Sequence, residues 1–416
     1  MVCAHSVRQA RPRRHAHVIP VASGRRESYL LLAGRGMRAF VDGCIAVLLP
    51  AYLLALGFGT WEVGLFSTAT LLGSALATVA VGAWGHRFHH RRLLLGAALL
   101  MAATGIAFAG LSAFWPLLIV AFLGTLNPSA GDVSVFLPLE HARLAEAAQG
   151  RDRTALFARY SLIGVFCGAL GALASAVPDT LAGLGVGRIS ALRALFVLYG
   201  VVGLLVWLLY RQLPTSLPHA ERNPPAPLGP SRDVVVKLAA LFSVDAFAGG
   251  LVVQSLLALW LFQRFDLSLT AAGSFFFWAG MLTALSQLAA PWLASRFGLL
   301  NTMVYTHIPS SLALIAAAFA SSVHAALGLL LLRAALSQMD VPTRAAFVMS
   351  VVTPPERAAA ASYTAVPRSL ASALSPSLSG ALFSAGALAA PLVMCGMLKI
   401  AYDLALLRAC QGVKMH

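Results

Sequence analysis

A succession of long apolar runs, separated by short polar segments, restricts the fold of this 416-residue chain more than any other feature. A membrane core of ~30 Å needs ~20 helical residues to cross it, and most of the runs reach that length. Hydrophobic residues make up 59% of the chain and charged residues 11%, with a mean hydropathy of +0.80, unlike soluble domains. The pattern predicts an all-α integral membrane protein.

Twelve transmembrane helices are predicted on this criterion, six in each half of the chain. They cover residues 30–56, 61–83, 93–112, 115–138, 154–177, 191–211, 234–261, 270–294, 299–320, 325–351, 358–383 and 386–408. A segment rich in proline and charge lies between the halves and is typical of a surface linker. We therefore expect a basic tail (1–28), a six-helix bundle (29–212), a central loop (213–233) and a second six-helix bundle (234–410).

The net charge of +15 comes mainly from arginines, which collect on alternate loops of this arrangement. Under the positive-inside rule both termini are then cytoplasmic, in a multi-pass protein of the cell (inner) membrane. The basic residues form no nucleic-acid-reading motif, so the lipid bilayer is the expected partner and nucleic acid is not. The five cysteines show no metal spacing and no nucleotide loop is present, so no metal or cofactor is expected. We expect a monomer.

The two halves repeat some of their charged residues at nearly equal separations along the chain. The pairs are Asp42 with Asp245, Arg87 with Arg296, and Asp132 with Asp340. Such spacing indicates a duplication, which makes the two bundles pseudo-symmetric. Parallel repeats of this kind place a binding site near the membrane midplane, between the bundles.

The loop GAWGHRFHHRR, residues 82–92, resembles the motif G-x-x-x-D-R-x-G-R-R of the major facilitator superfamily, which lies between its second and third spans. Gly82, Arg87 and Arg91 match the motif, and the repeat copy ASRFG keeps Arg296 and Gly298. The resemblance extends over roughly residues 29–410. It implies a secondary transporter with two six-helix bundles and leaves the substrate open.

His86 stands where this family has an aspartate, which helps to lock the cytoplasmic side of the bundle. Histidine titrates near neutral pH and aspartate does not. The lock is therefore either lost or sensitive to protonation.

Charged residues inside the apolar runs are the candidate functional residues, because a charge at the centre of a spanning helix costs ~2.5 to 3.5 kcal/mol on the insertion scale. Arg35, Arg38 and Asp42 follow each other at steps of three and four, so they share one helix face that must point into protein or water. Asp42 and Asp245 are too short to reach the membrane surface. We expect both carboxylates to flank a central cavity.

Candidates for substrate binding or proton coupling are Arg38, Asp42, Asn127, Asp132, Asp245, Gln287, Arg333 and Asp340. Candidates for gate ion pairs are Arg35, Arg159, Arg344 and Arg368. Pro128 beside Asn127 removes a backbone hydrogen bond and indicates a bend or a cavity wall there. The alternative is that each acid pairs with an arginine only to hold helices together, and we favour that interpretation for Arg35, Arg159 and Arg344.

These features predict a proton-coupled secondary transporter of a small organic solute, anionic or amphipathic, with export favoured over import. The arginines favour an anion, whereas the aromatic stretch SFFFW at 274–278 suits an amphipathic molecule or lipid. One alternative is a transporter-like sensor that binds without carrying. Another is a polytopic membrane enzyme, in which His307 or His324 would act with Ser310 or Ser321. We do not expect an enzyme, because no catalytic motif accompanies these residues.

Overall fold

The computed structural model describes residues 21–129, 134–147, 150–215, 229–353 and 356–410, and within these ranges every regular element is a helix. The N-terminal half contains α1 (Val21–Ala55), α2 (Thr60–Trp84), α3 (His90–Gly110), α4 (Phe114–Leu123), α5 (Phe136–Ala147), α6 (Gly150–Ala174), α7 (Val177–Gly183) and α8 (Arg188–Tyr210). The C-terminal half contains α9 (Arg232–Gly250), α10 (Gln254–Phe265), α11 (Leu269–Phe297), α12 (Leu299–Ala318), α13 (Val323–Ser337), α14 (Asp340–Val351), α15 (Arg357–Ser384) and α16 (Ala390–Cys410). The all-α membrane fold is confirmed.

Eight helical segments of the described chain are long and apolar enough to cross a membrane, and α4 and α13 are shorter apolar helices. The remaining predicted spans carry more polar residues or are interrupted. Short connections make successive spans antiparallel. We call the end of the bundle where α1 begins and α16 ends the terminal end, and the other the distal end.

Three spans predicted as continuous helices are interrupted, at the fourth, seventh and tenth positions. The fourth stops at Leu123, before Gly124 and Pro128, because proline donates no backbone hydrogen bond. The seventh divides into α9 and α10 after the pair Gly249 and Gly250, which weakens helix propagation. The tenth divides into α13 and α14 just before Pro342, and the first turn of a helix is where proline is most favoured. Pro128 thus marks a break, as its residue type indicates.

Two boundaries also differ from the expected ones. Helix α1 begins at Val21, so helical structure starts within the segment 1–28 that was expected to be a tail. Helix α7 is a short additional helix at the distal end. Residues 216–228 of the expected central loop lie outside the described residues, as do the first twenty residues of the tail. The division into four segments therefore stays a prediction.

An aromatic cluster fills the distal end of the N-terminal half. Tyr52 at the end of α1 donates its hydroxyl to the carbonyl of Phe108, 2.6 Å away, and its ring lies 4.6 Å from that of Phe196. Phe66 contacts Phe108 and Phe114 edge to face. Such rings bury large apolar areas in preferred geometries, so they fix the distal ends of α1, α2, α3, α4 and α8 relative to one another.

The two halves are joined near the distal end. The backbone N–H of Ser377 in α15 donates to the hydroxyl of Thr68 in α2 at 2.9 Å. Asp179 in α7 accepts hydrogen bonds of 2.9 Å from the backbone and hydroxyl of Thr270 in α11. The hydroxyls of Ser67 in α2 and Ser255 in α10 lie 3.2 Å apart.

The halves separate toward the terminal end. Residues 365–369 of α15 are all exposed, and five consecutive helical residues cover every face of the helix. This turn, in the half of α15 nearer the terminal end, therefore has little packing against neighbouring helices. Together with the distal contacts, it defines a conformation that is closed at the distal end and open at the terminal end.

Two of the cavities among the described residues lie away from Asp42 and Asp245. One, of about 420 Å³, is an open depression between α2 and α15 at the distal end, with Trp61 and Glu62 on its wall. The other, of about 270 Å³, lies within the N-terminal half beside α2 and α3 and has Arg92 on its wall.

Glu356 precedes α15 at the terminal end and holds the end of the central loop. Its carboxylate accepts hydrogen bonds from the side chain of Ser231, from the hydroxyl of Thr353 at 2.6 Å and from the backbone N–H of Gly229. These donors favour the ionised form and lower the pKa of Glu356 from 4.5 to about 2.

Distal closure depends on close approach of two glycines. A Cβ atom on Gly64 of α2 would lie 2.7 Å from the carbonyl oxygen of Pro376 and 2.8 Å from the Cα atom of Gly380 in α15. We predict that Gly64→Val separates the halves at the distal end and exposes position 67, which is fully buried in the wild-type chain. A Ser67→Cys reporter, in a chain whose own cysteines are replaced by alanine, should then react faster with a membrane-impermeant maleimide.

Gly96→Val is the matched control, since a Cβ atom at Gly96 would meet nothing within 4 Å. It should leave the labelling rate of the reporter unchanged. Equal rates in the Gly64→Val and Gly96→Val chains would show that this glycine contact does not hold the distal end closed.

A pH dependence follows from Glu356. Because its pKa is lower in the folded chain than its ordinary value, the carboxylate stabilises the fold fully above about pH 4.5 and loses this effect as the pH falls toward about 2. Glu356→Gln should therefore lower the thermal midpoint at neutral pH, and the difference from wild type should shrink in acid. Differential scanning fluorimetry measures both midpoints; a difference that stays constant down to about pH 3 would contradict this assignment.

Candidate functional site

Asp245 of α9 is the centre of a buried charge network in the C-terminal half. Its Oδ1 atom lies 2.6 Å from Nζ of Lys399 in α16, and its Oδ2 atom lies 3.0 Å from Nη2 of Arg344 in α14. Arg344 also pairs with Asp340, one helical turn before it, and its guanidinium lies 5.4 Å from the ring centroid of Phe242. One carboxylate thus holds two cations from two other helices.

His307 of α12 extends this network to a second carboxylate. Its Nδ1 atom lies 3.1 Å from both oxygens of Asp403, and its Nε2 atom lies 3.2 Å from Nζ of Lys399. A carboxylate only accepts hydrogen bonds and an ammonium only donates them. We therefore assign Nδ1–H as the donor to Asp403 and Nε2 as the acceptor from Lys399, which makes the imidazole neutral.

The network lies near the middle of the membrane. His307 and Lys399 are close to the centres of α12 and α16. The side chains of His307 and Asp403 are sealed, whereas those of Lys399 and Arg344 keep 14% and 10% of their surface exposed. The cations therefore form the accessible face of the network and the histidine lies behind them.

Arg368 and Arg333 border the same network. Arg368 of α15 lies on the exposed turn 365–369, and its charge acts on Arg344 and Asp245. Arg333 of α13 is half-buried, and its charge acts on Cys395, which is also within range of Lys399. Among the described residues, neither guanidinium forms an ion pair.

A different cluster occupies the N-terminal half. Nη2 of Arg38 in α1 lies 2.5 Å from both oxygens of Glu140 in α5, and both side chains are buried. The hydroxyls of Tyr160 in α6 and Tyr210 in α8 also donate to this carboxylate. The Arg38 guanidinium covers the ring of Phe136, 4.0 Å from its centroid. Glu140 therefore joins four helices and has donors on both of its oxygens.

Asp42 and Arg35 lie on the same face of α1 as Arg38, and all three are buried, as expected from their spacing. Arg35 lies 5.1 Å from the ring centroid of Tyr160 and occupies the space left by Gly164, where a Cβ atom would be 2.4 Å from Nη2. Asp42 makes no hydrogen bond or ion pair with the described residues, although the charges of Arg35 and Arg38 act on it.

The remaining polar candidates are Asn127, Gln287, Arg159 and Asp132. The Asn127 side chain is buried and accepts hydrogen bonds from the backbone and hydroxyl of Ser129, so it stabilises the break after α4. Gln287 of α11 is half-buried and Arg159 of α6 is exposed. Asp132 lies outside the described residues.

The loop between α2 and α3 is a short 3₁₀ turn, Gly85–Arg87, followed by α3. Arg91 donates to the hydroxyl of Thr215 at 2.9 Å and to the carbonyl of Arg211 at 2.6 Å, so it ties the loop to the end of α8. Gly82 and Arg87 are exposed, and the side chain of His86 lies outside the described residues. The expected role of His86 in a lock stays a prediction.

The repeat copy of this loop connects α11 to α12. Gly298 adopts a φ of 84°, in the region that favours glycine, and ends α11. Arg296 is exposed and lies 5.9 Å from the ring centroid of Trp292. Gly298 therefore allows the backbone to turn at the end of α11.

Four residues of the two clusters were missed as candidates in the sequence. Lys399 and Asp403 lie one turn apart on the last apolar helix, and a lysine in the middle of a span is a strong signal. His307 was considered only as an enzyme residue. Glu140 was placed just beyond the end of the fourth span. Their pairing depends on contacts between distant helices, which one-dimensional spacing does not give.

The network around Asp245 combines a proton acceptor, accessible cations and several carboxylates. Such a set can take up a proton, exchange ion-pair partners and hold an anion. Among the described residues, no group of three or more histidine, cysteine or acidic side chains has the geometry of a metal site.

The Arg38–Glu140 pair gives a stability prediction. Removing one partner of a buried ion pair leaves an uncompensated charge and costs roughly 3 to 5 kcal/mol. We predict that Glu140→Gln lowers the thermal midpoint strongly and that a second change, Arg38→Met, restores part of the loss. Glu27→Gln is the control, since Glu27 also pairs with an arginine, Arg143, but is partly exposed and should cost less. Scanning fluorimetry of these three variants and of Arg38→Met alone measures the losses. Additive losses would show that Arg38 and Glu140 are not energetically coupled.

Residues 31–376 match the family model of the Major Facilitator Superfamily. An uncharacterized membrane protein of Saccharomyces cerevisiae is 24% identical over 340 residues, which cover 73% of this chain and 76% of the yeast protein.

Several solved transporters share the fold. The nucleoside transporter NupG has a TM-score of 0.71 at 14% identity, over 93% of this chain and 99% of its own. A bacterial homolog of the human lysosomal transporter Spinster, in an inward-facing and unoccupied conformation, has a TM-score of 0.68 at 15% identity, over 93% and 95% of the two chains. The human organic anion transporter TETRAN has a TM-score of 0.67 at 16% identity, over 92% and 99%.

The structural neighbours show the fold alone, because their identities are low. The family match covers most of the chain and agrees with the loop residues Gly82, Arg87 and Arg91. This chain belongs to the major facilitator superfamily.

Proposed function

We propose that the protein is a proton-coupled secondary transporter of a small organic anion, working by alternating access. The observation that carries this proposal is the buried network in which His307 lies between Lys399 and Asp403, beside Asp245. Ionisable groups within a membrane are costly and occur mainly on transport pathways and proton relays. A purely structural role would need fewer of them.

The charge balance of this network favours an anionic substrate. With His307 neutral, four cations face three carboxylates among the described residues: Arg333, Arg344, Arg368 and Lys399 against Asp245, Asp340 and Asp403. An unbalanced positive charge away from bulk water is stabilised by an anion. Arg368 and Lys399 are accessible enough to contact one.

The family and its solved members support transport and do not identify the substrate. The neighbours are described as carriers of nucleosides and of organic anions, which differ in charge. The excess of cations in this chain agrees better with the organic anion. The aromatic stretch SFFFW at 274–278 is compatible with a substrate that has an aromatic or otherwise apolar part.

The conformation supports alternating access. The halves meet at the distal end and separate at the terminal end, which is the arrangement expected of one of two alternating states. With cytoplasmic termini in the cell membrane, as the arginine distribution predicts, the open end faces the cytoplasm. A membrane potential of ~100 mV with one pH unit supplies ~3.7 kcal/mol per proton, enough for a gradient of several hundred-fold. Export and a monomeric carrier stay our predictions.

The two alternatives account less well for the contacts. In an enzyme, His307 would have to activate Ser310, but the Ser310 hydroxyl is directed at the carbonyl of Arg333, and both ring nitrogens of His307 contact other residues. A sensor that binds without carrying would share the network, and only a transport measurement distinguishes it from a carrier.

Asp245 provides the test. Purified protein is reconstituted into vesicles that contain a pH-sensitive dye, and a panel of organic anions is added outside. We predict that the wild-type chain moves protons together with at least one labelled anion, and that Asp245→Asn abolishes proton movement, because Lys399 and Arg344 lose their shared counter-ion. Asp42→Asn should also uncouple protons from substrate while leaving the fold intact.

Asp233→Asn is the matched control, since Asp233 lies in the first turn of the same helix and is exposed. It should transport as the wild-type chain does. Binding without counterflow of a labelled anion would indicate a sensor, and conversion of the anion to a product would indicate an enzyme. Proton-coupled transport that survives Asp245→Asn would remove the network from the proposal.

A further inference from the structure

We infer that His307 and Lys399 exchange places at Asp245, so that uptake of one proton releases the Lys399 ammonium to bind the substrate's anionic group. This inference rests on the proposed function and names its coupling step. It also decides the sign of the coupling: proton and anion bind together rather than compete.

The first step of the argument is that the hydrogen bond from Lys399 occupies the only site on His307 that can take a proton. Nδ1 already carries its hydrogen, which is donated to Asp403 at 3.1 Å. A proton arriving from water must therefore bind the lone pair of Nε2, where Lys399 now donates at 3.2 Å. An N–H group cannot face an ammonium at hydrogen-bond distance, so the bond between Lys399 and His307 breaks.

The second step is that the protonated ring has a new partner within reach. Nε2 lies 3.9 Å from Oδ1 of Asp245, the same oxygen that Lys399 contacts at 2.6 Å. A small rotation of the ring or shift of α12 brings the new N–H onto this oxygen. The imidazolium then replaces the ammonium as the counter-ion of Asp245, while the hydrogen bond to Asp403 is kept.

The third step is that the displaced ammonium is on the accessible side. The side chain of Lys399 keeps 14% of its surface exposed, against 4% for His307. Once released, the ammonium carries a charge that Asp245 no longer compensates. Arg368 lies nearby and forms no ion pair among the described residues. The two cations together can hold a carboxylate or sulfonate group.

Charged and titratable groups from every neighbouring helix act on this exchange. They are Asp245 on α9, Arg333 on α13, Asp340 and Arg344 on α14, Arg368 on α15, and Cys395, Lys399, Tyr402 and Asp403 on α16. Arg344 stays on Oδ2 of Asp245 throughout, since the exchange takes place at Oδ1. Protonation adds one positive charge to the network, and the bound anion neutralises it.

Cotransport follows from this balance. A proton raises the affinity for the anion, and by linkage the anion raises the affinity for the proton to the same extent. The loaded carrier then contains both. Net flow follows the proton gradient. Across a cell membrane whose proton gradient points into the cytoplasm, this coupling drives import, and it therefore argues against the export that the sequence analysis favours.

The experiment measures proton uptake during anion binding to the purified full-length chain in detergent. Benzoate and benzenesulfonate are the probes, because both stay ionised throughout the titration, and a pH indicator in weak buffer reports proton uptake. We expect wild-type protein to take up about one proton per bound anion and its Kd to fall about tenfold for each unit of decreasing pH. His307→Gln should bind with a Kd that does not depend on pH and take up no proton.

Three further variants test the lysine and the specificity. Lys399→Gln should weaken binding of the probes at least tenfold, and Lys399→Arg should keep a measurable affinity, since it keeps the charge. His324→Gln, at the exposed start of α13, should behave as the wild-type chain does. If His307→Gln does not fold, as judged by its thermal midpoint, the wild-type pH dependence and Lys399→Gln still decide the matter.

Proton uptake that persists in His307→Gln, wild-type affinity in Lys399→Gln, or a failure of both probes to bind the wild-type chain would overturn the exchange. These failures differ from failure of the proposed function. If vesicles of His307→Gln still show proton-coupled transport, the proposed transporter function stands and the proposed exchange is wrong. If the wild-type chain takes up a proton on anion binding but transports nothing, the proposed exchange stands and the proposed transporter function is wrong.

Discussion

The ion pairs of Asp245 with Lys399 and Arg344 are the interaction on which the C-terminal half depends. Each of these groups alone would cost ~2.5 to 3.5 kcal/mol in the middle of a membrane helix. Because Asp245, Arg344, Lys399 and His307 come from α9, α14, α16 and α12, their pairing fixes the relative positions of four helices. The substrate path that we propose lies beside this network.

The duplicated halves have diverged in what their charges do. In the N-terminal half, Glu140 accepts from Arg38 and two tyrosines, which leaves little freedom to rearrange. Asp42 has no ion pair among the described residues, whereas its counterpart Asp245 has two. In the exchange that we propose, the contacts of Glu140 stay fixed in the first half, and the groups that change partners lie in the second half.

The length of the apolar runs was sufficient to predict an all-helical membrane bundle. Depth singled out Asp42 and Asp245, which are buried, and Arg333, which is half-buried. Arg344, expected nearer the membrane edge, is buried as well. The breaks in the seventh and tenth spans were missed, because hydropathy does not detect the loss of one turn of hydrogen bonds. The partners of these charges were missed for another reason. Contacts such as that of Glu140 with Tyr210 join helices far apart in sequence, and a single sequence contains no direct signal for them.

The interruption between Gly250 and Gln254 divides the seventh span into two rods. The outer rod, α10, is bonded to the first half of the protein through Ser255, which donates to the carbonyl of Pro128 at 3.0 Å. The inner rod, α9, carries Asp245. The three non-helical residues between them form a hinge, so α10 can rotate while α9 keeps its orientation. The contacts that close the distal end and the charges around Asp245 can therefore rearrange independently, although both lie on the seventh span.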